Sequence, residues 1–207
     1  MTGPITRELA AVLLSAGMSM GACASTPTET STPTASAQSP GGTPKANPDA
    51  QALASFQERV KAYLKLHQKL ERSLPALPKE ATPQQIDQHQ RALEKLIRDN
   101  RRTAKPGDIF TPESKAVIRG LMERVFGGPD GARLKASVMD ENPGRLTLTV
   151  NSRYPDTVPL STVPPQVLAG LPRLPEELEF RFIGRALILM DVHAHVIVDL
   201  IESAIPA

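Results

Sequence analysis

The stretch that decides the fold lies near the end of the chain, where residues 177–201 read ELEFRFIGRALILMDVHAHVIVDLI. Short apolar runs separated by polar links are typical of β-strands, and here they predict strands at 177–183, 186–190 and about 196–201. The links at Gly184-Arg185 and at 191–194 are short, so the three strands are expected to form an antiparallel meander. The last two strands are apolar on both faces, which predicts that part of the sheet is buried on both sides.

Helical periodicity precedes these strands. From residue 49 to residue 74 the inward positions recur at intervals of three and four, which predicts a first helix. These positions are Leu53, Phe56, Val60, Tyr63, His67, Leu70 and Leu74. The tetrapeptide Thr82-Pro83-Gln84-Gln85 has the cap, proline and glutamine that begin a second helix, expected to end near Arg102. The short connection between the two helices predicts an antiparallel hairpin.

A third helix is expected to begin at Thr111-Pro112 and to end at Gly127. The apolar period then changes to two over 134–138 and again over 146–150, so two further strands joined by a turn at 142–144 are expected. Helices followed by strands indicate an α+β fold. The expected architecture is an N-terminal helical hairpin plus a third helix packed on an antiparallel sheet that ends in a three-strand meander.

Composition limits the function classes. The chain has 207 residues and a formal net charge of +2, which gives no general electrostatic case for binding nucleic acid. Its aromatic residues are 5 Phe and 2 Tyr with no Trp, so little is available for stacking on bases. The single Cys excludes an intramolecular disulfide and a multi-cysteine zinc site. Familiar nucleophile, metalloprotease and nucleotide-binding motifs are also missing, which favours binding over catalysis and predicts no cofactor.

The first residues have the organisation of a targeting segment. Arg7 begins a weakly positive region, and an apolar run from Leu9 to Met20 follows, too short to span a bilayer stably. The next residues complete the tetrapeptide Met20-Gly21-Ala22-Cys23, which resembles the lipobox of bacterial lipoprotein precursors. That resemblance implies cleavage before Cys23, a diacylglycerol on its thiol and, in a Gram-negative host, an outer-membrane anchor facing the periplasm. Ordinary secretion is the alternative, because Ala22-Cys23-Ala24 is also an A-x-A cleavage site.

The chain is expected to have three parts: a signal peptide at 1–22, a lipidated Cys23 with a Pro/Thr/Ser-rich tether over 23–50, and a single α+β domain at 51–207. Residues 24–48 contain no Leu, Ile, Val, Met or aromatic residue. Such a segment cannot bury enough apolar surface to offset the entropy of ordering, so we expect it to be disordered. The expected partners are the membrane, through Cys23, and an envelope protein.

The sharpest candidate site lies in the last link of the meander. Asp191, His193, His195 and Asp199 all have odd numbers, so on one continuous strand they would share a face. Two imidazoles and a carboxylate on one face can hold a catalytic zinc ion, and this set is the weak metal candidate of the sequence. The other interpretation makes the same residues a turn, with Asp191 beginning it and His193 at its exposed tip.

Two other features of the helices carry candidate chemistry. His67 and His89 occupy inward positions at similar heights of the predicted hairpin, so they form either a pH-sensitive pair or two separate boundary residues. The end of the second helix is basic and either contacts anionic lipid headgroups or is an ordinary solvated face. Its cations are Arg91, Lys95, Arg98, Arg101, Arg102 and Lys105.

Taken together, these patterns predict an envelope-anchored lipoprotein with a non-catalytic binding or assembly domain. The alternative is a small metal-dependent hydrolase that uses His193, His195 and an Asp.

Overall fold

The structure is a computed structural model that describes residues 47–141, 147–159 and 161–207. By its backbone contacts the part of the chain from Thr43 to Ala207 forms one compact unit. The described residues of this unit form five helices and three strands. In chain order these are α1 (Pro48–Glu71), α2 (Pro83–Asn100), α3 (Pro112–Phe126), α4 (Gly131–Asp140), α5 (Pro165–Leu168), β1 (Leu178–Ile183), β2 (Ala186–Asp191) and β3 (Val196–Ile201).

The three long helices begin in the same way, with a proline in the first turn after a polar cap. The side chain of Asn47 accepts a hydrogen bond from the backbone N–H of Asp49, and Thr82 and Gln85 form a reciprocal capping box. Proline fits here because the first N–H groups of a helix have no partner within the helix. The helix α1 therefore begins at Pro48, inside the range 23–50 that the composition assigned to the tether.

The three strands form one antiparallel sheet in the order β1-β2-β3, which confirms the predicted α+β class and its closing meander. Every residue of β2 and β3 is buried, as their continuous apolar sequence predicted. Gly184 lies in the first link with φ +53°, a conformation that glycine adopts without steric cost. The helix α1 packs against both α2 and α3.

Each face of the sheet has its own apolar core. On the helical face, the rings of Phe56, Phe110 and Phe180 stack with centroids 5.3–6.3 Å apart. On the other face, Ile188 and its neighbours pack against Tyr154 and the segment around it. The described members of both cores lie between residues 56 and 205, inside the compact unit.

The predicted strand over 134–138 is wrong, because residues 131–140 form the helix α4. The burial pattern explains the difference: Gly131 and Val138 are buried, Leu134 is half-buried and Ala136 is exposed. This spacing of three and four belongs to a helix. Of the predicted partner strand, residues 147–150 are not in a strand, and the turn at 142–144 lies outside the described residues.

The predicted signal peptide, Cys23 and the first part of the tether also lie outside the described residues. None of the helices in the described ranges is long and apolar enough to cross a membrane.

Candidate functional site

The four residues singled out in the last link do not share one face of a strand. Asp191 ends β2, the turn 192–195 carries both histidines, and Asp199 lies within β3. His193 is exposed at the turn, as the turn interpretation expected, and His195 is half-buried with φ +57°. The two buried aspartates belong to different hydrogen-bond networks, so the described structure does not bring the four side chains together at one ion.

Asp199 anchors a loop. Its carboxylate accepts hydrogen bonds from the backbone N–H groups of Gly107, Ile109, Phe110 and Leu200 at 2.7–3.2 Å. The side chain is fully buried, and these four donors satisfy a charge that would otherwise be costly to bury. Its role is therefore to fix residues 107–110 against the sheet.

Asp191 is the centre of a second network, also fully buried. Its Oδ2 accepts a hydrogen bond of 2.6 Å from the Tyr63 hydroxyl and lies 2.6 Å from Nδ1 of His67. Its Oδ1 accepts the backbone N–H of Ala194 at 2.8 Å, which closes the turn that carries His193. Burial, followed by the charge and hydrogen bonding of Asp191, raises the pKa of Tyr63 well above its ordinary value.

The other nitrogen of His67 has a different environment. Its Nε2 is buried, lies 3.3 Å from Oε2 of Glu71, and makes no hydrogen bond with any described residue. Burial opposes protonation of this imidazole, but the hydrogen bond to Asp191 and the charges of Asp191, Glu71 and Glu177 outweigh it and raise the pKa of His67. The pocket around Nε2 therefore favours a positive charge.

His193 is the third residue of this group. Its Nδ1 lies 3.0 Å from Oε1 of Glu71, and its ring centroid lies 5.4 Å from that of His67. His67, Glu71 and His193 each offer one ligand atom, and these atoms all lie within 4.8 Å of one another. Among the described residues, this is the set whose geometry suits a metal ion. We call these three residues the His–Glu–His centre.

The sequence named two members of this centre and missed the third. Glu71 follows His67 by four residues, a spacing that brings two side chains onto the same face of a helix. That His-x-x-x-Glu spacing was the available signal. No sequence pattern indicated that Asp191 would be the partner of His67, because 124 residues separate them.

The remaining candidate histidines lie elsewhere. Nε2 of His195 is 3.8 Å from Asp156, its ring meets that of Tyr154 edge-on, and burial together with the charge of Arg153 lowers its pKa. His89 lines a small cavity of about 270 Å³ beside the segment 74–78. His67 thus meets His193 rather than His89.

Most cations at the basic end of α2 have carboxylate partners on the protein. Arg91 pairs with Asp87, Arg98 with Glu94, and both Lys95 and Arg102 pair with Asp99. Arg101 lies over the Tyr63 ring, 5.0 Å from its centroid, and donates a hydrogen bond to the carbonyl of Val198. These contacts fit the solvated-face interpretation of the helix.

An open apolar groove of about 470 Å³ runs beside β1. The exposed Leu168 lies on its wall, and Phe180 contributes to its floor. Arg181, which also lines it, contacts Glu179 and the carbonyl of Ser161. The lining of this groove includes none of the three residues of the His–Glu–His centre.

Comparison with known proteins identifies no relative: neither a family model, nor a curated protein, nor a solved structure matches this chain.

Proposed function

We propose that this protein is an envelope-anchored lipoprotein that carries a non-catalytic binding or assembly domain on a tether, and that the His–Glu–His centre is its binding site. The observation that carries the binding role is the Nε2 atom of His67, which is buried, has no hydrogen-bond partner among the described residues and faces the carboxylate of Glu71. A buried polar atom left without a partner costs free energy, and a bound ion or ligand would supply the missing contact here.

The anchor is supported by the sequence and by where the domain begins. The only Cys lies at position 23, directly after an apolar run and two small residues. The capped first turn of α1 starts at Pro48, immediately after the segment that lacks large apolar residues. These two features support the proposed order of anchor, tether and domain.

Binding is favoured over hydrolysis by the use of the two aspartates. A hydrolase built on His193, His195 and an Asp needs their ligand atoms at one ion. His193 faces Glu71 and His195 faces Asp156, while the carboxylates of Asp191 and Asp199 already accept several hydrogen bonds each. Among the described residues, His193, His195 and the two aspartates do not meet at one point, so we do not adopt the hydrolase built on them.

The anchor is tested by expressing the full chain in a bacterium fed a clickable fatty acid, beside a Cys23→Ser variant. We expect the wild-type chain to carry the label, to enter the detergent phase and to begin at Cys23 by mass spectrometry, and we expect the variant to carry no label. A wild-type chain that begins after Ala24 and carries no lipid would establish ordinary secretion instead. A cytosolic chain that retains residues 1–22 would remove the envelope assignment altogether.

A further inference from the structure

The position of one proton at the Asp191 network determines what His67 can bind. The Tyr63 hydroxyl donates to Oδ2 of Asp191, so this carboxylate acts as an acceptor toward both of its side-chain partners. The imidazole therefore holds a proton on Nδ1, and in its neutral form it directs the lone pair of Nε2 outward. That lone pair faces Oε2 of Glu71 at 3.3 Å. Two acceptors at this distance repel each other unless a proton or a metal cation lies between them.

The spacing of the acceptors suits a transition-metal ion. Zinc binds imidazole nitrogen and carboxylate oxygen at about 2.0–2.2 Å, so two ligand atoms of a tetrahedral site lie roughly 3.3–3.5 Å apart. The separation between Nε2 of His67 and Oε2 of Glu71 falls within this range. His193 is 41% exposed at its side chain, so it is free to rotate a ring nitrogen toward the same point.

Asp191 gives the centre the support that metal-binding histidines commonly have. A metal-bound imidazole usually donates its second N–H to a carboxylate, which fixes its tautomer and its orientation. Asp191 does this for His67 and, through the N–H of Ala194, also shapes the turn that presents His193. One buried carboxylate thus organises two of the three ligands, one on the helix α1 and one beyond β2.

We propose that His67, Glu71 and His193 together bind one divalent transition-metal ion of the zinc type, with Asp191 as a positioning residue. This inference rests on the proposed binding role of the domain and names its ligand. Two imidazoles and one carboxylate suit zinc and its neighbours, whereas Mg²⁺ and Ca²⁺ prefer oxygen ligands alone. Three protein ligands leave a fourth tetrahedral position for a water molecule or for a group from a partner.

The test measures Zn²⁺ and Mg²⁺ binding by isothermal titration calorimetry and native mass spectrometry, on the compact unit 43–207 made without an affinity tag and stripped with a chelator. The binding variants are His193→Ala and Glu71→Gln, whose side chains reach solvent and whose loss leaves the cores intact. The matched control is His195→Asn in the same turn, because Asn tolerates the positive φ of that position. The metal-free variants are compared by circular dichroism.

We expect one Zn²⁺ per wild-type chain, no measurable Mg²⁺ binding, an affinity for zinc at least tenfold weaker in both binding variants, and wild-type affinity in His195→Asn. Absence of zinc binding overturns the proposal, as does wild-type affinity in His193→Ala. If no zinc binds and His67 is found as an imidazolium between Asp191 and Glu71, the cation at this position is a proton and the metal site is rejected.

The proposed metal site and the proposed lipid anchor can be contradicted independently of each other. A lipidated chain that binds no zinc removes this inference and leaves the anchor in place. An unlipidated chain that binds zinc contradicts the anchor and retains the metal site.

Discussion

At the scale of single residues, the two buried aspartates of the meander have unlike partners and therefore unlike roles. Among the described residues, the hydrogen-bond donors to Asp199 are backbone N–H groups, which tie the loop 107–110 to β3. Asp191 accepts one backbone N–H and contacts two titratable side chains, Tyr63 and His67. A carboxylate in the second arrangement controls where a neighbouring group holds its proton.

The control that Asp191 exerts on His67 gives a prediction about the tautomer. In the Asp191→Asn variant, the new amide can donate to Nδ1, so His67 is expected to move its proton from Nδ1 toward Nε2. Nitrogen-15 NMR of the metal-free protein reads this change directly. Because Nε2 then loses its lone pair, the affinity for zinc should fall by roughly 10–100-fold.

Tyr63→Phe is the companion variant for the Asp191 prediction. It removes one donor to Asp191 and leaves the contact between Asp191 and His67. We expect the tautomer of His67 to remain on Nδ1 in this variant. An unchanged tautomer in Asp191→Asn would assign Asp191 a purely structural role.

The candidate site could be predicted from the sequence only in part. His193 at an exposed turn follows from the short polar link between two apolar strands, and His67 on the inner face of α1 follows from helical periodicity. The meeting of His67 with Asp191 depends on how α1 lies across the sheet, which no local pattern specifies. Glu71 can be recognised as a candidate ligand only from the packing that places His193 beside it.

At the scale of elements, the sequence predicted the type and order of helices and strands well wherever the apolar periodicity extended over many residues. The first three helices have caps, and the meander strands are rich in large apolar residues, so local signals and burial agree there. In the helix α4 the local signals are ambiguous. Over this short stretch its apolar residues fit both the two-residue period of a strand and the three-to-four-residue period of a helix. Its start has no side-chain cap hydrogen bond, which removed a further signal.

The start of α4 is packed closely against the end of α3, so it leaves no room for a side chain on Gly131. A Cβ on Gly131 would lie 1.9 Å from the carbonyl oxygen of Phe126, a backbone atom that cannot rotate away as the end of a side chain can. Gly131→Ala should therefore lower the free energy of unfolding by about 1–3 kcal/mol, as overpacked interiors do. The midpoint of urea unfolding measures this change.

Gly120 within α3 is the matched control for Gly131. A Cβ there meets only the flexible end of Arg124 at 3.6 Å. Gly120→Ala should raise the free energy of unfolding by up to about 1 kcal/mol, because alanine is the better helix former. A loss of stability in Gly120→Ala as large as that in Gly131→Ala would contradict the steric explanation.

At the scale of the whole molecule, the His–Glu–His centre joins distant parts of the chain. Glu71 and His193 are 122 residues apart in sequence, yet their side chains lie 3.0 Å apart. One ligand group is at the end of α1 and the other is in the turn between β2 and β3. An ion bound between them would connect the helical layer to the sheet, and the unfolded chain would not hold its ligands together.

Zinc should therefore stabilise the folded protein by mass action. At a free concentration one hundred times the dissociation constant, binding to the native state alone adds about 2.7 kcal/mol to the free energy of unfolding. For a domain of this size, that corresponds to a rise of roughly 5–11 °C in the melting temperature. Differential scanning calorimetry of the unit 43–207 measures the rise, and a chelator should reverse it. An equal rise in the melting temperature of His193→Ala would mean that the zinc ion binds elsewhere on the protein. An equal rise with Mg²⁺ would mean that the stabilisation comes from general ionic screening.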